Sequence, residues 1–114
     1  MQIPKDAVLL RVFIGESARF DGKPLYESIV LKAREVGIGG ATVLRGPLGF
    51  GRSSQLHSAK ILRLSDDLPV IIEIVDSQEK IDAFLPVLDG MMGTNSGLIT
   101  VEKVQVLKYG NEKT

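Results

Sequence analysis

The sequence predicts an α+β sandwich, a four-stranded antiparallel sheet with two helices on one face. Three observations carry that expectation. Two β-rich apolar runs, AVLLRVFIG at 7–15 and PVIIEIV at 69–75, are alike in character, and each leads toward a segment with helical spacing. A further strand pattern follows each helical segment, ATVLRG at 41–46 and the run that begins at Leu98. The order is strand–helix–strand twice over, which is the ferredoxin-like βαββαβ arrangement, with the first and third strands central and antiparallel.

Each element follows from its residues. Ala7 to Gly15 is nearly continuous in apolar side chains, with Arg11 as the one interruption, and such a strand is buried on both faces or nearly so. ESARFDGK reads as a loop. Pro24 suits a first helical position, where its missing N–H costs nothing. Leu25, Ile29, Ala33 and Val36 recur at helical spacing, with Val30 on the flank, and Gly37 can close the helix in the left-handed conformation. Gly39-Gly40 lead into the second strand. PLGFGRSSQLHS, from Pro47, is a loop, and Ala59 to Leu64 alternates apolar and basic residues as a short, half-exposed strand would. SDDLP is a turn, and Pro69 opens the third main strand, in which Glu73 is the one charge. Asp76 and Glu79 have the spacing of a capping box. Ile81, Phe84, Leu85, Leu88 and Met91 mark a second amphipathic helix, which Pro86 should kink or weaken. GMMGTNSG is a glycine-punctuated loop, Leu98 to Tyr109 a final strand or a broken pair, and NEKT a frayed tail.

Four strands and two helices leave one sheet face uncovered, yet the central strands are apolar on both sides. A homo-oligomer is the simple cover, because closed symmetry hides the same patch in every copy. Arg11 and Glu73 either pair on that face, within or between subunits, or point to solvent at strand ends.

Composition narrows the function. The 114 residues suffice for a single domain, 1–114, with one core. Apolar residues make up 44% and charged residues 25%, which is globular and not disordered composition. Fourteen basic side chains balance fourteen acidic ones, so any anion site must be local rather than a bulk basic surface. The absence of cysteine removes disulfides, thiolate metal sites and cysteine nucleophiles, and one histidine, His57, cannot build a multi-histidine metal site within one chain. MQIPKDAVLL lacks the pattern of a signal peptide, and no apolar run approaches the ~20 residues of a membrane span, so the expected location is cytoplasmic. Aromatics are only 5% and Trp is absent, which leaves no stacking platform for a nucleic-acid partner.

One segment concentrates the features of a binding loop. From Val36 to Ser65 there is no acidic residue, while Arg45, Arg52, Lys60, Arg63 and His57 all lie there. Five glycines fall between Gly39 and Gly51. Glycine lets a backbone approach a ligand and turn its N–H groups inward, and cations beside it make an anion site. On these residues alone the segment is either a phosphate site or a mobile surface loop with solvated charges. It is neither a P-loop, since no GxxxxGK[ST] is present, nor a Rossmann fingerprint, since GPLGFG has the wrong spacing.

TVLRGPLGFGRSSQLH resembles the loop base of the PII signalling proteins, in which a Thr-Val strand end leads to Gly-Phe-Gly-Arg and then a His. Here those residues are Thr42, Val43, Gly49, Phe50, Gly51, Arg52 and His57. More closely, the chain resembles the PII-like DUF190 (UPF0166) group, through RGPLGFG, DLPVIIEIVDS and GLIT taken in order over about its full length. The resemblance implies a non-enzymatic signalling protein, a homotrimer that binds an adenine nucleotide (ADP, ATP or AMP) as effector between subunits, with no catalytic cofactor. It implies phosphate contacts at Gly49, Gly51, Arg52 and Ser53, with Arg45, Gly46 and Phe50 in the same segment and Thr42 near the base. It implies a second glycine loop at Gly93, Thr94, Asn95, Ser96 and Gly97, preceded by Met92, and a cation on the last strand at Lys108. A membrane transporter or channel is the kind of protein target it implies.

The chain departs from the founding members in ways that bear on the ligand. Extra residues precede GFGR and the His, Leu98 stands where they end the second glycine loop with lysine, and of their paired arginines only Lys108 keeps a charge. Fewer cations weaken triphosphate binding more than mono- or diphosphate binding. The shortened loop has no Tyr, so uridylylation is not expected. Ser53 and Ser54 near His57 lack an orienting acid for nucleophilic catalysis. Asp66-Asp67 reads as a turn, and Met91-Met92 as core or pocket lining rather than a copper site. The alternative function is an anion- or divalent-cation-handling trimer related to the divalent-cation tolerance proteins, which share the fold.

Overall fold

A computed structural model of the chain describes residues 2–53, 55–58 and 67–113. β1 (Asp6–Gly15) alternates buried and half-buried positions. Its period of two sends Val8, Leu10, Val12 and Ile14 to a closed face and Leu9, Arg11 and Phe13 to an open one. The expected near-continuous burial is thus one-sided in the single chain. β2 (Arg19–Phe20) and β3 (Lys23–Pro24) form a small hairpin where a loop was expected. Asp21 and Gly22 make its turn with positive φ at both residues, 51° and 75°, the geometry that Asp-Gly favours.

α1 (Leu25–Glu35) buries Leu25, Ile29 and Ala33. Pro24 precedes the first turn, one position earlier than expected, with its φ already at −57°. Gly37, at φ 85°, ends the helix as expected. Ile38 N–H donates to Ala33 O at 3.0 Å and Gly37 N–H to Arg34 O at 3.2 Å, a Schellman pair.

β4 (Ala41–Arg45) follows, then β5 (Leu48–Gly49), which pairs with β6 (His57–Ser58). The expected strand at Ala59–Leu64, with Lys60 and Arg63, and the start of the SDDLP turn lie outside the described residues. β7 (Pro69–Asp76) buries Val70, Ile72, Ile74 and Asp76. α2 (Gln78–Met92) is capped by Ser77, whose Oγ accepts from Lys80 N–H at 3.2 Å. The expected Asp76/Glu79 box does not form: the cap is Ser77, one residue later, and Lys80 offers no reciprocal acceptor. Asp76 turns inward instead and accepts from Gly39 N–H at 2.8 Å and Ser77 N–H at 2.7 Å. The helix continues through Pro86.

β8 (Leu98–Gln105) and β9 (Lys108–Tyr109) realise the broken final strand. The expected frayed tail is corrected: β10 (Glu112–Lys113) pairs back on β9, turning at Gly110 with φ 63°. The sheet order is β4-β7-β1-β8, antiparallel at each of its three pairings, with the first and third main strands central as expected. Leu25, Ile29, Ile81, Phe84 and Leu88 pack from the helices onto the closed face as one core. The other face carries Leu9 and Phe13 of β1, Thr42 and Leu44 of β4, and Ile71 and Val75 of β7, with Arg11 and Glu73 between them.

Candidate functional site: two loop bases and an open groove

The candidate residues divide between the two ends of the sheet. β4 runs from Ala41, opposite Ile74, to Arg45, opposite Val70, and the glycine segment leaves from that second end. Gly46 N–H donates to Pro69 O at 2.8 Å. A Cβ on Gly49 would meet the Pro69 ring at 2.9 Å, so the strand opener of β7 favours glycine there, and one on Gly46 would press the same ring at 3.0 Å. Beyond them Phe50, Gly51, Arg52 and Ser53 are exposed. Ser53 Oγ accepts from Gln55 N–H at 3.4 Å. Ser54 lies outside the described residues. Arg45 is already engaged by an ion pair with Glu16.

The second glycine loop leaves the same end of the sheet. Met92 is buried, and Gly93 at φ 55° ends α2 with its N–H on Asp89 O at 3.3 Å. Asn95 fixes the loop, its N–H on Met92 O at 2.8 Å and its Nδ2 on Arg19 O at 2.9 Å. Thr94 and Ser96 are exposed. A Cβ on Gly97 would lie 2.9 Å from Phe13 O, so the backbone of β1 sets that glycine. Leu98, opposite Phe13, starts the edge strand on the far side from β4. Three inter-strand spacings, roughly 14 Å, therefore separate the two loop bases.

Thr42 and Lys108 are placed together at the opposite end. They line an open groove of about 680 Å³ whose walls include Leu9, Val75, Glu73 and Tyr109. Glu73 stands opposite Thr42 in the β4–β7 register and opposite Arg11 in the β1–β7 register. Arg11 Nε donates to Glu73 Oε2 at 2.9 Å and Nη1 to Glu102 Oε1 at 2.6 Å. The hydrogen bond to Glu73, then that to Glu102, raises the guanidinium pKa above its ordinary value. Tyr109 Oη donates to Gly39 O at 2.5 Å.

A single chain thus brings Thr42 and Lys108 to one groove, and holds Arg45, Gly46, Gly49 to Ser53 and Met92 to Gly97 at the other end. Reading the residues did not place Glu73 or Tyr109 in the groove. The signal for Glu73 was one charge in an apolar strand; for Tyr109 it was one of two tyrosines, in a segment read as strand. Asp67 accepts from Ser17 N–H at 2.7 Å and so braces the turn after β1. Among the described residues, no group of three or more His, Asp or Glu is placed to hold a metal ion. No helix among them is long and apolar enough to cross a membrane.

The DUF190 family model (Uncharacterized ACR, COG1993) matches residues 7–106. A UPF0166 protein of Aquifex aeolicus is 41% identical over 99 residues, 87% of this chain and 91% of the relative. A UPF0166 protein of Methanocaldococcus jannaschii is 38% identical over 102 residues, 90% of this chain and 93% of the relative. Among solved structures, the nitrogen regulatory PII-like protein CPII from Thiomonas intermedia K12, bound to ADP, AMP and bicarbonate, superposes with a TM-score of 0.68. That match covers 89% of this chain and 88% of CPII at 17% identity, which speaks to the fold. The chain belongs to the DUF190 (UPF0166) family and has the PII-like α+β fold.

Proposed function

We propose that this protein is a non-catalytic cytoplasmic regulator that binds an adenine nucleotide between copies of itself in a homotrimer. The observation that carries the reading is the division of the candidate residues. The glycine–arginine loop base and the second glycine loop sit at one end of the sheet, and Thr42 and Lys108 sit at the other. A site assembled between neighbours can use the end of one copy against the groove of the next. The half-buried apolar face of Leu9, Phe13, Ile71 and Val75 gives the copies a reason to associate. The structural neighbour CPII was solved with ADP and AMP, which supports that ligand class.

In this reading the backbone amides around Gly49 and Gly51 and the guanidinium of Arg52 bind the phosphates, and the groove beside Thr42 takes the base. Lys108 adds a point charge. The output is conformational. Phosphates select one arrangement of the exposed loop, and a partner protein, of which a membrane transporter or channel is the expected kind, reads it. A ligand shifts that equilibrium only by its differential affinity for the ordered arrangement.

Calorimetry with ADP, ATP, AMP and cyclic AMP, beside light scattering on a sizing column, tests the reading. The expected result is a trimer that binds at least one of these nucleotides below about millimolar, the weak limit of specific recognition. A monomer, or a trimer that binds none of the four, overturns it.

A further inference from the structure

One residue, Gly39, ties down a wall of the groove through both of its backbone polar groups. Gly39 O accepts from Tyr109 Oη at 2.5 Å, and Gly39 N–H donates to Asp76 Oδ2 at 2.8 Å. Asp76 is 1% exposed, and its other oxygen accepts from Ser77 N–H at the head of α2. A line of hydrogen bonds therefore runs from the C-terminal hairpin, through Gly39, to the cap of the second helix. Two of the groove's polar residues flank it. Thr42 lies three residues beyond Gly39, and Lys108 is the neighbour of Tyr109 on β9.

The contact is tight on both sides. A Cβ on Gly39 would come within 2.7 Å of Ile3 Cδ1 and 3.3 Å of Tyr109 Oη. The hairpin itself is small, two residues on each strand, and a two-stranded hairpin of that size is marginal in water on its own. It stays over the groove through ties of this kind and through Val106 N–H, which donates to Lys5 O at 2.7 Å.

We propose that Tyr109 is a positioning residue: its hydroxyl latches the β9–β10 hairpin to Gly39, and the groove's affinity for its ligand depends on that latch. The proposal rests on the nucleotide reading above. It adds that the closed hairpin is the binding-competent form, so loss of the hydroxyl lowers affinity by the fraction of molecules that open. The latch acts through Lys108 and the groove wall and does not itself hold the phosphates.

Tyr109→Phe removes the hydroxyl and keeps the ring. Gly110→Ala strains the hairpin turn at φ 63° without touching Tyr109. Two readouts are taken on the intact protein, amide hydrogen exchange without ligand and calorimetry with ADP. The expected result is faster exchange over residues 106–113 and at Gly39 in both variants, with ADP affinity reduced about three- to tenfold, the range of one hydrogen bond. Unchanged exchange in Tyr109→Phe overturns the latch whatever the ligand. Faster exchange with full ADP affinity overturns the link between latch and binding. A wild type that binds none of ADP, ATP, AMP and cyclic AMP overturns the nucleotide reading, and with it the link to binding, while exchange alone still decides whether the hydroxyl holds the hairpin.

Discussion

Arg11 stands opposite Glu73 in the register of β1 and β7, and its Nε donates to Glu73 Oε2 at 2.9 Å. On the other side its Nη1 donates to Glu102 Oε1 at 2.6 Å, on β8. One guanidinium thus serves a carboxylate on each neighbouring strand, in the middle of the open sheet face. The two carboxylates raise its pKa, Glu73 contributing most. A basic group raised in the folded state stabilises fully below its ordinary range and loses that contribution only as pH climbs through the raised value. No pH dependence from this group is expected at neutral or mildly alkaline pH.

Replacing Arg11 by Met leaves two carboxylates without their cation on that face. The pairs are partly exposed and screened by solvent, so unfolding of the isolated chain should change little. Association should suffer far more, because uncompensated charge buried between copies is costly. Arg11→Met is therefore expected to elute and scatter as a monomer that still unfolds cooperatively, with a melting temperature lowered by the lost association. A variant of undiminished mass would place the interface elsewhere.

Two glycines in the same loop base should respond differently to alanine. A Cβ at Gly49 would sit 2.9 Å from the Pro69 ring, and a proline ring at the head of a paired strand has little room to yield. A Cβ at Gly51 meets nothing within 4 Å. Gly49→Ala should lower the melting temperature. Gly51→Ala should leave it unchanged and lower only nucleotide affinity, by crowding the approach of phosphate to the backbone. Melting curves paired with calorimetry separate the two effects.

Asp76 is a buried carboxylate whose two oxygens satisfy two backbone amides. Asp76→Ala leaves both donors without this acceptor and should cost roughly 2–4 kcal/mol in denaturant unfolding. Asp76→Asn keeps one carbonyl acceptor and should cost less. Equal losses in the two variants would show that packing, and not the hydrogen bonds, makes the residue matter.

The parts of this fold legible in the residues are those set by local pattern. The alternation in β1 and β7, the helical spacing of Leu25, Ile29 and Ala33, and Gly37 at a helix end all report their own conformation. Asp76 was misread because its spacing to Glu79 fits a capping box equally well. The choice between that role and Ser77 is made by Gly39, which is distant in sequence and supplies the donor that draws Asp76 inward. The tail differs for another reason: its partner is local, Tyr109 opposite Glu112 across the turn at Gly110, and its polar composition carries no strand pattern. For the site, the glycine segment announced itself through composition. The groove did not, because Thr42 and Glu73 meet only through the sheet order and Tyr109 reaches them from a separate hairpin.

The supply of cations should decide which nucleotide is preferred. Arg45, the basic residue nearest the loop base, is taken by Glu16. That leaves Arg52, exposed at the loop, and Lys108, exposed at the groove, as the proposed phosphate partners in the described residues. Arg52→Ala should lower ADP affinity by roughly 1.5–3 kcal/mol, the range for a hydrogen bond to a charged group. Arg45→Ala should change it much less. Lys108 offers a single strongly hydrated charge rather than a bidentate fork, so a third phosphate gains little from it. ATP is therefore expected to bind no more than about threefold more tightly than ADP, where a further bidentate arginine would yield about tenfold or more. Lys108→Arg should widen the gap in favour of ATP, because the fork can take two oxygens of the added phosphate. Parallel calorimetric titrations of both nucleotides into wild type and Lys108→Arg read the two ratios directly. A wild type that already prefers ATP strongly would mean that another cation reaches the terminal phosphate.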